Sequence, residues 1–164
     1  MNKTIYALFI VELLWVGWID FKTKKISNLW SMFHLLLAGL LYGLQSSTYF
    51  YSWEVFIFPI GALIIGFLLF LANVMGAGDS KFLASLFLII PLNAQSIFLQ
   101  KLILSTVITG SILLGLRILK NWPMLRAYLL SRHWKGLKEM VGSRFSYAPV
   151  IGVAWILLGV ELWG

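Results

Sequence analysis

Cysteine is absent from all 164 residues, which excludes a disulfide framework, a thiolate-bound zinc or iron–sulfur centre and a thiol nucleophile. Charge is scarce as well: Asp, Glu, Lys and Arg make up 12% of the chain, about half the share typical of soluble domains. A large soluble appendage is thereby excluded. Acid is scarcer than base, six residues against thirteen, and only two of the six are Asp. What fills the sequence instead is apolar, 60% hydrophobic, so the solvent it implies is lipid.

Six apolar stretches run from Thr4 to Ile19, Leu29 to Leu44, Val55 to Val74, Phe82 to Phe98, Leu102 to Leu119 and Tyr147 to Leu162. They lack the alternation of strands, and an open sheet cannot satisfy its edge groups in hydrocarbon. The expected fold is therefore all-α: one polytopic domain over residues 1–164 with six transmembrane helices. The first stretch is not expected to be a cleaved secretory signal, because bulky Trp15 and Trp18 lead into Asp20 and a basic cluster rather than a small-residue cleavage site.

Basic residues set the expected orientation. Lys22, Lys24 and Lys25 follow the first stretch, Lys81 precedes the fourth, and Arg117, Lys120, Arg126, Arg132, Lys135, Lys138 and Arg144 flank or fill the loop after the fifth. If those loops are cytoplasmic, eleven of thirteen basic residues lie inside, which puts both termini outside. Gln45–Glu54 and Leu92–Lys101 become the outer loops. The basic loop 120–146 carries an amphipathic pattern, with Leu129, Leu130, Trp134, Leu137, Met140 and Val141 on one arc and Ser131, Arg132, Lys135, Lys138 and Glu139 on the other. It is expected to form a helix in the plane of the inner leaflet, where the +7 excess meets anionic lipid rather than nucleic acid.

Both aspartates, Asp20 and Asp79, fall near the inner face in this topology. Asp20 ends the first stretch, and Asp79 follows the break Gly76-Ala77-Gly78. Two carboxyl groups meeting in a partly dehydrated cleft cannot both ionise freely, so they share a proton and supply an acid and a base together. That pair can activate water against a peptide carbonyl without metal, cofactor or covalent nucleophile. Glycine at 76 and 78 allows a bend or a close approach of another backbone. Two plain alternatives stand beside this: Asp79 as the cap of its helix, and Asp20 as an interfacial cap or a partner of Lys22 or Lys24.

At these residues the chain resembles the type IV prepilin peptidase family, membrane aspartyl proteases marked by Gly-x-Gly-Asp, here Gly76-Ala77-Gly78-Asp79 followed by Ser80-Lys81. The family's first motif is matched by Asp20, Lys22 and Ile26-Ser27-Asn28, with Ser27 in place of the usual Pro and Lys22 in place of the common Arg. Tyr147-Ala148-Pro149 is similar to an aromatic-small-Pro segment near the family's last helix. The resemblance implies Asp20 and Asp79 as catalytic residues, with Gly76, Gly78, Lys22, Asn28, Lys81 and Pro149 as motif and substrate-positioning residues. It further implies removal of a short basic leader from a pilin-like precursor at the cytoplasmic face of the inner membrane. The cysteine-rich insert and amino-methylating activity of larger bacterial members have no counterpart here, so the chain looks like the short, peptidase-only form associated with tight-adherence pilus systems or with archaeal pilin-like substrates. Seven cations in the last inner loop argue against simple electrostatic capture of a basic leader. Recognition then falls to the precursor's apolar helix or to screening by anionic lipid.

Other polar residues in the apolar stretches are functional suspects by position. Glu12 lies eight residues before Asp20, about 80° away on a helix, and could line the same cleft or bond to another helix. His34 and Asn73 could orient substrate, but interhelical hydrogen bonding is the more economical role for each. Glu161 reads as interfacial. Two other classes remain open on sequence alone: a proton-coupled transporter using the Asp pair, and a noncatalytic membrane scaffold.

Overall fold

A computed structural model describes residues 2–23, 26–44, 48–124, 126, 131 and 147–163. Among these the regular structure is helical, with no strand. Six long helices follow in order: α1 (Lys3–Thr23), α2 (Asn28–Leu44), α3 (Ile57–Leu71), α4 (Ala77–Ile89), α5 (Leu92–Lys120) and α6 (Ala148–Trp163), with a 3-10 turn at Trp53–Phe56 leading into α3. Two segments, Trp53–Leu71 and Leu92–Lys120, are long and apolar enough to cross a membrane. The inner-leaflet helix expected around Leu129–Val141 lies outside the described residues, apart from Ser131, as do Lys24 and Lys25.

Burial is inverted relative to a soluble bundle, as lipid solvation demands. Leu8, Val11, Leu36, Ile64, Ile65 and Val107 are exposed on the outer faces of α1, α2, α3 and α5. The helix with the most continuous burial is the short α4, which packs along α2 and α3, while α6 packs along α1 and α5. Aromatic rings tie the two groups together. Phe87 of α4 meets Phe98 of α5 at 5.1 Å, Phe98 meets Trp155 of α6 at 5.9 Å, and Trp155 meets Phe9 of α1 at 5.3 Å, all tilted or edge-on as ring quadrupoles prefer.

One boundary differs from the sequence expectation. The apolar stretch Phe82–Phe98 is not one helix, and the outer loop expected at Leu92–Lys101 is helical and belongs to α5. Pro91 explains the break: it forces Ile90 into extended backbone at ψ 126°, and its own carbonyl then accepts the Ala94 N–H at 2.8 Å to start the next helix. The polar residues that suggested a loop find partners on the bundle. Gln95 Nε2 donates to the Val55, Phe87 and Ile90 carbonyls, and Lys101 pairs with Glu161 at 3.0 Å.

α3 approaches α4 closely just behind Asp79, because Gly66 has no side chain. A Cβ at Gly66 would lie 2.6 Å from Ser80 Cβ and 3.1 Å from Ser80 Cα, and the backbone atom cannot swing away. Gly66→Ala is expected to cost about 1–3 kcal/mol. In detergent this lowers the thermal midpoint by several degrees, read by loss of the monodisperse chromatographic peak on heating. An unchanged midpoint would show that α3 gives way freely.

Candidate active site

The polar residues of the two Asp motifs gather at one end of the bundle. Asp20 lies in the last turn of α1, Asp79 in the first turn of α4, and Tyr147 immediately before α6. α3 ends at the same place, and the turn linking it to α4 passes through Asn73, whose φ of 57° is the only left-handed non-glycine conformation among the described residues. The bend the sequence suggested for Gly76 is therefore made three residues earlier, by a residue type that tolerates it.

Gly78 serves close approach instead. A Cβ there would lie 2.7 Å from the carbonyl oxygen of Ile26, so the first motif's Ile26-Ser27-Asn28 lies directly against the Gly-x-Gly turn. The backbone that Gly78 admits is the chain's own. Ser27, standing where the resemblance expects Pro, uses its hydroxyl to accept the Leu29 N–H at 3.3 Å, as a helix cap does at the start of α2.

Asp20 is 2% exposed and Asp79 6%. Asp79 Oδ2 accepts the Gly76 N–H at 3.2 Å, so the carboxylate caps its own helix from the third position rather than from the cap position itself. Its carboxyl group also accepts the backbone N–H of Tyr147. Asp79 precedes the apolar run that begins at Phe82. Its pKa is pushed up to about 6, first by burial and then by the negative charge of Asp20, with the Gly76 and Tyr147 N–H groups pulling the other way. Carboxyls distant in sequence are thus close enough in space to sense each other's charge.

Other residues expected at the site are not buried with the two Asp. Asn28, Lys81 and Pro149 are exposed, and the exposed Lys22 holds its ammonium 4.7 Å from the centre of the Trp18 ring. Tyr147 is the site residue that sequence reasoning missed in favour of Pro149. Its backbone N–H reaches Asp79 while its hydroxyl bonds to Thr106 of α5 at 2.8 Å, joining α4, α5 and α6 at one point. The sequence signal was present in Tyr147-Ala148-Pro149, but a main-chain donor carries no residue-type signature.

Deeper in the bundle, Glu12, His34 and Ser85 form a chain of hydrogen bonds across three helices. His34 Nε2 meets Glu12 Oε1 at 2.7 Å, and His34 Nδ1 meets Ser85 Oγ at 3.0 Å. The interhelical role expected for Glu12 and His34 is the one observed.

No curated protein and no solved structure matches the chain. The sequence model of the type IV leader peptidase family matches residues 7–119, a segment that contains both Asp motifs, most of α1 and the whole of α2, α3 and α4. That match covers more than half of the chain, and the chain belongs to the type IV leader peptidase family, a membrane-embedded family of peptidases.

Proposed function

We propose that the chain is an aspartic endopeptidase that removes the leader of type IV pilin-like precursors at the cytoplasmic face of the inner membrane. In this reading six helices span the bilayer, both termini lie outside, and no methyl-transfer part is present. The observation that carries it is the buried Asp79 carboxyl within range of the Asp20 charge, at the Gly-x-Gly turn of a peptidase family.

The two carboxyls divide the work. Asp79, whose proton is held more firmly than an ordinary carboxyl holds it, donates to the oxygen of the scissile carbonyl, while Asp20 takes a proton from the attacking water. Oxygen–carbon bond formation gives a tetrahedral diol. Return of a proton to the amide nitrogen then lets the C–N bond break, leaving a carboxylic acid on the leader and an amine on the mature chain. The Gly76 and Tyr147 N–H groups fix the orientation of Asp79, so no reorganisation is needed when the substrate arrives. The substrate is a pilin-like precursor, its apolar helix lying among the spans and its leader at the basic inner face with anionic lipid.

The test is leader removal by the purified protein in lipid nanodiscs, followed across pH. A general acid works only while protonated, and a raised pKa keeps Asp79 protonated up to its own titration. The rate constant kcat/KM is therefore expected to fall as pH rises through about 6. A rate independent of pH across that range, or no cleavage of any leader-bearing precursor, would remove the reading.

A further inference from the structure

Asp20 and Asp79 belong to helices that are not each other's main packing partners. α1 runs chiefly along α6, and α4 along α2 and α3. Something must nevertheless hold α1 at a defined height against α4, because a separation error of about 1 Å between reacting groups costs about 10²-fold in rate. We infer that the Glu12–His34–Ser85 chain is that device: a positioning clasp that fixes the register of α1 against α4, and so the spacing of the two catalytic carboxyls.

Its geometry suits the task. Glu12 lies eight residues before Asp20 on α1, and Ser85 six residues after Asp79 on α4, about 12 and 9 Å of helical rise from the dyad. The clasp therefore crosses between the same two helices at a matching depth, through His34 of α2. His34 is fully buried and the Glu12 side chain is 10% exposed. The imidazole is wedged between Phe82, at 4.8 Å from its ring, and Phe9, at 5.5 Å.

Counting protons fixes how the clasp is wired. The Ser85 hydroxyl spends its one hydrogen on the Phe82 carbonyl at 2.9 Å, so it can only accept from His34, and Nδ1 is the donor. The 2.7 Å contact between Nε2 and Glu12 Oε1 then holds one further proton, on whichever atom. Either assignment, carboxylic acid with imidazole or carboxylate with imidazolium, is electrically neutral overall. A neutral, fully bonded unit is what a bundle interior tolerates, and it offers no free acid or base to the reaction.

Glu12→Gln keeps the bond, since its amide can donate to Nε2 of a neutral His34. His34→Ala breaks the chain at its centre. The cysteine-free sequence permits spin labels at the exposed Lys22→Cys and Lys81→Cys, two residues beyond each Asp, to report the α1–α4 distance without any substrate. The distance arm stands apart from the peptidase reading, whereas the kinetic arm rests on it, so failure of one is separable from failure of the other. His34→Ala is expected to lengthen or broaden the label distance and to lower kcat by about 10-fold or more with KM little changed. Glu12→Gln is expected to retain the distance, the rate and the pH profile. Should His34→Ala fail to fold, the apolar pair Glu12→Leu with His34→Leu, which leaves no unpaired buried charge, takes its place with the same expectation. A wild-type distance and kcat in the broken clasp would overturn the inference. So would an inactive Glu12→Gln or one with a displaced pH profile, either of which would make Glu12 a proton-transfer group.

Discussion

Asp20→Asn and Asp79→Asn, each alone, are expected to lower leader cleavage by about 10²- to 10⁴-fold while leaving the protein folded. The second half of that expectation comes from the helix cap. Asn at 79 keeps an oxygen that can accept the Gly76 N–H, so the first turn of α4 retains the bond that Asp79 now supplies at 3.2 Å. What it loses is the transferable proton. The double variant is expected to be no worse than either single one, because an acid without its base is already idle. Asp20→Asn carries a second signature. Removing its charge removes one of the two causes that raise the Asp79 pKa, so that pKa falls. The protonated-carboxyl stretch of Asp79 in the infrared is expected to vanish at lower pH in Asp20→Asn than in the wild type. Full cleavage by either variant would dismiss the two-carboxylate mechanism, and lost proton or cation transport with normal cleavage would favour a transporter.

Gly78→Val is expected to reduce cleavage by about 10²-fold through displacement rather than chemistry. Its Cβ would enter 2.7 Å from the Ile26 carbonyl oxygen, a main-chain atom held in the short connection between α1 and α2. Relief requires that connection to lift away from the turn, and Asp20 lies only six residues from Ile26. The pair of carboxyls is then held apart. Gly76→Ala meets only Asp79 Oδ2, at 3.2 Å, where a small adjustment of one side chain suffices, so a milder loss is expected. Gly43→Ala in α2 meets nothing within 4 Å and serves as the neutral comparison. Cleavage rates of the three variants, measured beside their yields of folded protein, decide the ranking. Equal losses at 76 and 78 would show that the contact with Ile26 is not what Gly78 protects.

The carboxyls of the candidate site were legible in the sequence, because an acid pair is proposed from residue types. A chain with only two Asp, each two residues before a Lys and at the edge of an apolar stretch, makes Asp20 and Asp79 the candidate acids. Pairings across the fold were not readable. Hydropathy reports that a helix is apolar but leaves its rotation undetermined, so Glu12 and His34 each asked for a partner without naming the other. The Gly78 contact joins segments 52 positions apart, and the Tyr147 donor is main chain. The misplaced outer loop had a different origin. Asn93, Gln95, Gln100 and Lys101 gave Leu92–Lys101 the composition of a loop, yet α5 absorbs the segment. There, tertiary bonds from Gln95 to three carbonyls and from Lys101 to Glu161 outweigh local polarity.

The proton count at Glu12 and His34 has a consequence for an energised cell. Carrying a net charge through a transmembrane voltage takes about 2.3 kcal/mol per elementary charge for each 100 mV, whereas a uniform field exerts no net force on a neutral unit. Because this pair stays neutral wherever its proton rests, the electric field exerts no net pull on it. The clasp itself should therefore bear no net pull in a fully polarised membrane, just as in one whose ion gradients have collapsed.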